Sequence, residues 1–230
     1  MPTLHHLALL PECRFARLIC KEYGIDLHLV EEPVWERREA FLALNPAGEV
    51  PVFVDDEGAV VVGAAALMEY LEETRGPAEG ETRLMPTRPA ERAEVRRLVG
   101  WAQRKIAADV STWIVTEKAL KRMMPEKLGG GAPDSAALRA ARANWKWHLS
   151  YLDHLLDMRN WVAGDRITHA DFAIAAELSA LDYLGEIAWP EGGPTRDWYA
   201  RMKSRPSFRP VLADIVRGIK PPAHYADPDF

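Results

Sequence analysis

Three groups of residues in this chain have the types and spacing to do chemistry. The first is the pair Cys13 and Cys20. A thiol acts as nucleophile or metal ligand only as the thiolate, which needs a neighbour that lowers its pKa. The two cysteines share no metal-ligand spacing, and a reducing compartment is the default for free thiols. The second group is the histidines His5, His6, His28, His148, His154, His169 and His224. None has metal spacing: His148 and His154 are six apart, which is poor for one helix face. They read as solvated or core histidines, and no metal is expected. The third is a backbone feature, the run Asn45-Pro46-Ala47-Gly48-Glu49-Val50-Pro51-Val52-Phe53-Val54. Gly48 suits the left-handed turn after a helix, and Pro51 fits only the first residue of a strand. A Val-Pro bond in such a turn is a place where a cis peptide is found. A cis bond would turn the backbone of Val50 outward, free to pair with an extended peptide. No G-x-S-x-G, Walker A or Rossmann glycine pattern is present.

The elements that must position these groups follow from periodicity. Leu4 to Leu10 reads as a buried strand stopped by Pro11, and Arg14 to Tyr23 as a helix stopped by Gly24. Ile25 to Val30 is a second strand, and Trp35 to Leu44 a short charged helix. Val52 to Asp55 and Ala59 to Val62 form a hairpin across Asp56-Glu57-Gly58, and Ala64 to Glu73 a helix ending at Gly76-Pro77. Beyond a Pro-, Gly- and Glu-rich stretch the pattern is helical. Val95, Leu98, Val99, Ala102, Ile106, Val110 and Trp113 form one stripe, and Leu138, Ala141, Trp145, Leu149, Leu152 and Leu156 another. These two helices are expected to pack antiparallel. Thr168 and Asp171 have capping-box spacing, with Ile167 and Phe172 placed as a hydrophobic staple. Phe172 to Leu181 is apolar on nearly every face except at Glu177, as in a fully buried helix. Phe208, Val211, Leu212 and Ile215 mark a last helix.

Composition narrows the function classes. The chain has 230 residues, 48% of them apolar, enough for a proper core. Net charge is −5, which argues against a general nucleic-acid binder. His5 and His6 stand where a secretion signal needs an apolar core, and no apolar run approaches a membrane span. A cytoplasmic protein with no membrane insertion is expected.

The Asn-Pro-Ala-Gly-Glu-Val-Pro run resembles the start of the third strand in the glutathione S-transferase superfamily, where a cis proline presents backbone hydrogen bonds to glutathione. The cap and buried helix after Thr168 resemble that superfamily's N-capping motif. The resemblance covers nearly the whole chain. It implies an α/β plus all-α fold: a thioredoxin-like βαβαββα domain over 1–77, a linker over 78–89, a helical bundle over 90–219 and a proline-rich tail over 220–230.

The same resemblance shows what is missing. Family members activate the glutathione sulfur from a hydroxyl or thiol just after the first strand. That position falls on Leu10, which donates no hydrogen bond. Cys13 lies nearby, either as a free buried cysteine or, with a small alignment shift, as a reactive thiol. Members bind the γ-glutamyl head group with a Glu/Gln-Ser pair, and this chain has Gly63-Ala64 there. Leu10, Val50, Pro51, Gly63 and Ala64 therefore outline a degenerate cleft. No cofactor is expected, and glutathione binding should be weak or absent.

Three surface features read as binding instead. Trp35, Arg37 and Arg38 have hot-spot residue types beside the cleft. The tail Lys220–Phe230 carries His224, Tyr225, Asp227 and Phe230 as possible anchors, or else folds over its own domain. The arginine-rich helix with Arg92, Arg96, Arg97 and Arg104 offers a charged face. The degenerate site and the tail resemble the FtsZ-binding, cell-division branch of the superfamily. That implies a non-catalytic homodimer that bundles or curves FtsZ polymers at the division site. The alternative is a divergent glutathione-dependent enzyme using Cys13; a third reading is a stress- or translation-linked interaction module. On the binding reading, truncation after Pro222 is expected to leave folding intact, and Cys13→Ser to have little effect.

Overall fold

The structure, a computed structural model, describes residues 1–190 and 192–227. The first domain is a four-stranded sheet in the order β2-β1-β3-β4. Strand β1 (Thr3–His6) pairs parallel with β2 (His28–Glu31) and antiparallel with β3 (Val52–Val54), which pairs antiparallel with β4 (Val60–Val62). Helices α1 (Pro11–Glu22) and α3 (Ala64–Thr74) cover one face, burying Phe15, Leu18 and Leu67 in one cluster with Leu4 and Phe53. The other face buries Val52 with Leu7, Cys13, Val50 and Phe41 of α2 (Glu39–Leu44). The thioredoxin-like unit expected from the sequence is thus present.

Several boundaries differ, each for a local reason. Strand β1 ends at His6, because Leu7 to Leu10 close a turn (Leu10 N–H to the Leu7 carbonyl, 3.1 Å) that sets Leu10 as the N-cap of α1. Strand β2 starts later than Ile25, because Gly24 and Ile25 finish α1. Ile25 N–H bonds the Cys20 carbonyl and Gly24 N–H the Lys21 carbonyl, with Gly24 at φ 71°. The expected helix from Trp35 splits into a 3₁₀ turn (Val34–Glu36) and α2, with Arg37 left-handed at φ 49° between them. Pro77 does not end the helical run, since a short α4 (Gly76–Glu79) follows α3 with proline in its first turn, where the missing N–H costs nothing.

The second domain is helical. Its first long helix, α5, spans 89–123: α-helical over Pro89–Gly100, then π-helical over Trp101–Ser111 and Thr116–Leu120. The wider turns explain one departure. A 3.6-residue period places Trp113 on the buried stripe, but the buried positions run Ala102, Ile106, Val110 and Ile114, four apart, and Trp113 is 50% exposed. Helix α6 (Ser135–Met158) buries Leu138, Ala141, Trp145, Leu152 and Leu156, and is N-capped by Asp134, which accepts from the N–H groups of Ala136 and Ala137. Helix α7 (His169–Tyr183) is buried at every residue and packs on both α1 and α5. Its cap is reciprocal: Thr168 Oγ1 accepts from Ala170 N–H, and Asp171 Oδ2 accepts from Thr168 N–H at 2.9 Å. Asp171 Oδ1 also accepts from Val162 N–H and Trp198 Nε1, each at 3.0 Å. Two shorter helices, α8 (Pro194–Lys203) and α9 (Arg209–Leu212), close the bundle. The last helix ends before Ile215, which is 95% exposed rather than in the core. Leu84, Met85 and Pro86 of the linker are buried, so this connection is packed and not a free tether.

Candidate functional site

The joint between α2 and β3 is held from within. Asn45 is buried; its Nδ2 donates to the Glu49 carbonyl at 2.8 Å and its Oδ1 accepts from Ala47 N–H at 3.1 Å. Gly48 sits at φ 73° in this turn, where a Cβ would meet Leu42 at 3.2 Å, so both conformation and space favour glycine. The Val50-Pro51 bond is cis. Among the described residues no hydrogen bond engages the backbone N–H or carbonyl of Val50. The Pro51 carbonyl accepts from Gly63 N–H at 2.9 Å, which brings the joint and the start of α3 side by side.

Leu10, Val50, Pro51, Gly63 and Ala64 therefore share this end of the domain, and their chemistry is poor. Leu10 is half-buried, and Val50 and Ala64 are buried. Gly63, the N-cap of α3, makes no side-chain cap and sits at φ 84°, a conformation that strains any residue with a Cβ. No side chain here can pair with a charged head group. Cys13 lies one turn into α1 with no exposed surface, its thiol pushed well up by burial against a single favourable hydrogen bond from Leu7. Cys20 is likewise buried, with its pKa raised by desolvation to about 12. Neither thiol has the electropositive, accessible setting that makes a thiolate.

The expected binding residues are scattered. Trp35 is half-buried and packs on the Leu7–Phe41 cluster. Arg38 grips Glu32, a carboxylate with no exposed surface, through Nε at 3.1 Å and through Nη2. Arg37 is exposed. In the tail, Tyr225 corrects the reading as an exposed anchor: its side chain has no exposed surface. Its hydroxyl accepts from Arg14 Nη1 at 2.7 Å and donates to the Val211 carbonyl at 3.2 Å, and its ring stands edge-on to Tyr183 at 5.0 Å. His224 Nε2 meets Asp182 Oδ1 at 3.0 Å, and its carbonyl accepts from Lys203 Nζ. As far as Ala226 the tail is thus folded over its own domain, the other option open in the sequence. Asp227 is exposed, and Phe230 lies outside the described residues.

Sequence reasoning missed a cavity of about 230 Å³ between the start of α1 and helix α5. Leu10, Pro11 and Glu12 line one side; Gln103, Ala107, Ser111, Val115, Thr116 and Leu120 line the other. That second set recurs at four or five residues, and the π-helical turns keep it on one face where 3.6-residue turns would rotate it away. Glu177 of α7 closes the floor, 2% exposed, with burial raising its pKa to about 8 and Ser111 opposing. The signal was there: Glu177 is the lone acid in an otherwise apolar stretch. Among the described residues, no cluster of three or more His, Cys, Asp or Glu could hold a metal. Among the described residues, no helix is long and apolar enough to cross a membrane.

The comparisons with known proteins agree with this geometry. The family profile described as glutathione S-transferase, N-terminal domain, matches residues 4–79. FtsZ-localized protein A of Caulobacter vibrioides is 42% identical over 231 residues, which takes in 99% of this chain and 98% of that protein. A crystal structure of a glutathione S-transferase from Sinorhizobium meliloti superposes with a TM-score of 0.97 at 50% identity, covering 100% of both chains. The structure of FzlA from C. crescentus superposes with a TM-score of 0.92 at 41% identity, over 100% of this chain and 99% of that one. With a thioredoxin-like domain, a buried capped helix at its centre and relatives matched along its whole length, this chain belongs to the glutathione S-transferase superfamily.

Proposed function

We propose that this protein is a non-catalytic member of the superfamily that acts as a homodimer on FtsZ polymers, bundling or curving them at the bacterial division site. The observation that carries the reading is the emptied chemistry of the cleft: Leu10 at the activating position, Gly63-Ala64 at the head-group position, and a buried Cys13 whose thiol is held protonated. Losing two or more head-group hydrogen bonds, each worth roughly 1–3 kcal/mol when one partner stays buried, leaves little affinity for glutathione. The full-length relative named for its localisation with FtsZ supports the partner. Two identical sites related by a two-fold axis could bridge filaments, and avidity on a polymer strengthens weak single contacts. The sheet edge at β4, where Val60 and Val62 are each over 40% exposed, supplies an apolar strip suited to such an interface.

The test is co-sedimentation with GTP-polymerised FtsZ and electron microscopy of the pellet, with the oligomeric state followed by light scattering. We expect specific pelleting and altered filaments. A folded dimer that stays in the supernatant would remove this partner. The enzyme alternative, a thiol reaction at Cys13, requires a thiol accessible to reagents in the native state.

A further inference from the structure

A second cavity, of about 340 Å³, opens at the far end of α1, on the seam between the two domains. Glu22 and Tyr23 line it from the end of α1, Arg83 and Leu84 from the linker, Arg166 and Ile167 from the loop before α7, and Arg205 from the loop after α8. Leu10 caps the other end of this 12-residue helix, roughly 18 Å away, so the cavity and the cleft are separate. Three of the side chains on the wall are guanidinium cations, in a chain whose net charge is −5.

Two of these arginines are held in place by carboxylates that use only part of the group. Arg83 donates to Glu72 Oε1 through Nε at 2.6 Å and through Nη2. Arg205 donates to Glu22 through Nε at 3.3 Å and through Nη2, and its Cζ lies 5.9 Å from the centre of the Phe172 ring. A guanidinium carries five N–H donors in a rigid fork. Among the described residues, Nη1 of Arg83 and Nη1 of Arg205 make no hydrogen bond. Both side chains are half-buried, so each is fixed along one edge and has donors to spare along the other.

We propose that this cavity binds a small phosphate monoester, its terminal oxygens accepting from the unused edges of Arg83 and Arg205 and its apolar body against Tyr23, Leu84 and Ile167. A carboxylate has two oxygens and is satisfied by one guanidinium fork. A phosphate monoester has three terminal oxygens and close to two negative charges at pH 7, enough for two arginines at once. Glu22 and Glu72 keep their places, because the ligand takes N–H groups that they do not use. Arg166, on the same wall, adds to the positive potential, and a cation of the same size meets three guanidinium groups. The wall comes from both domains, so the ligand ties the end of α1 and the linker to the loops on either side of α7 and α8. This site is independent of the FtsZ reading.

The experiment is isothermal titration of the full chain at pH 7 and low salt with phenyl phosphate, inorganic phosphate and sodium benzoate, followed by amide hydrogen exchange with and without phenyl phosphate. We expect phenyl phosphate to bind, and benzoate and inorganic phosphate each to bind at least about tenfold more weakly. Bound phenyl phosphate should slow exchange in the segments around Tyr23, Arg83 and Ile167 and leave those around Val50 and Gly63 in the cleft unchanged. Arg205→Gln should lose about tenfold in phenyl phosphate affinity. No binding of phenyl phosphate, equal affinity for benzoate or inorganic phosphate, protection in the cleft instead of the seam, or unchanged affinity in folded Arg205→Gln would each overturn the proposal. The ligand comparison and the exchange map use the unmodified protein, so they decide the question even if the variant, which takes a partner from Glu22, does not fold.

Discussion

Helix α1 looks two ways, and its two faces have opposite character. Toward the cleft it presents Leu10, Glu12 and Cys13: one apolar side chain, one acid and one buried thiol. Toward the helical domain it presents Arg14 and Arg17, both buried and both beside Asp214. Arg14 Nε donates to the Ala8 carbonyl at 2.8 Å and Nη1 to Tyr225 and Ser179; Arg17 forks onto Asp214 at 2.7 and 2.8 Å. A second seam repeats the pattern, with Glu72 of α3 gripping Arg83 of the linker, accepting from Tyr23 at 2.8 Å and facing the buried His169 of α7 at 3.5 Å. Charge and hydrogen bonding in this scaffold hold the two domains together, while Leu10, Val50, Pro51, Gly63 and Ala64 at the cleft are small or apolar. A cleft in that state can lose catalysis without loosening the fold, because the polar contacts that join the domains lie elsewhere.

The sharpest way to break this comparison is to remove the tail. Truncation after Pro222 deletes Tyr225, takes one of two hydroxyl partners from the buried Arg14 and removes His224 from Asp182. Emptying a buried aromatic site costs about 3–5 kcal/mol, and Arg14, still beside Ser179 and Asp214, also loses one hydrogen bond. We therefore expect a large drop in urea midpoint or no folded protein, in contrast to the expectation from sequence. A truncated chain that melts with the full-length protein would show the seam to be dispensable. Tyr225→Phe keeps the ring and removes two hydrogen bonds, for a loss of roughly 1–3 kcal/mol.

Glu177 tests the cleft side, with a sign set by its pKa. Folding raises it to about 8 from an ordinary glutamate value, so between those limits the folded chain binds more protons than the unfolded one. Stability contributed by the protonated group is therefore present at low pH and lost as pH rises to about 8. Glu177→Gln should be stabilising at pH 8 by up to a few kcal/mol and close to neutral at pH 5. His6 gives the opposite slope. Burial lowers it to about 4, so its contribution is present above the ordinary histidine value and lost as pH falls toward 4. Chemical denaturation of the variant and the unmodified protein at several pH values separates the two. A pH-independent difference would mean that Glu177 is ionised in the folded state.

Much of the fold was legible because the signals were local. The Val50-Pro51 joint, the Thr168–Asp171 cap and the apolar stretch after it announce themselves within a few residues. Trp113 was misplaced because its burial depends on π-helical turns that a 3.6-residue period does not describe. Tyr225 was misread because its partner, Arg14, lies 211 residues away, and a proline-rich terminus looks the same whether it is docked or free. The cavity was invisible for the same reason: Ser111, Glu12 and Glu177 come together only when three helices pack.

A smaller effect is expected at Cys13. Its thiol is buried among Leu7, Phe41, Val50 and Val52, so serine places a hydroxyl in an apolar site at a cost of about 1–3 kcal/mol. FtsZ pelleting by the folded Cys13→Ser variant should match the unmodified protein. Native-state titration with a thiol reagent should find neither Cys13 nor Cys20 reactive until the chain is unfolded. Rapid native modification, or a loss of pelleting in folded protein, would revive the enzyme alternative.

The smallest effect on stability, and the most useful for locating the docking face, is at Arg37. It is exposed and left-handed at φ 49°, so its side chain and its backbone can be tested apart. Arg37→Ala removes the guanidinium and keeps the left-handed strain; stability should move within about 0.5 kcal/mol. Arg37→Gly also removes the guanidinium but accepts the conformation freely, and relief of a left-handed residue is worth about 1 kcal/mol before the greater freedom of the unfolded glycine offsets part of it. If the cation touches FtsZ, both variants lose pelleting to the same degree despite their different stabilities. If only the shape of this turn matters, the glycine variant alone departs from the unmodified protein. If neither departs, the docking face lies away from this corner, and the exposed Trp147 on α6, at 80% exposure, becomes the next position to change.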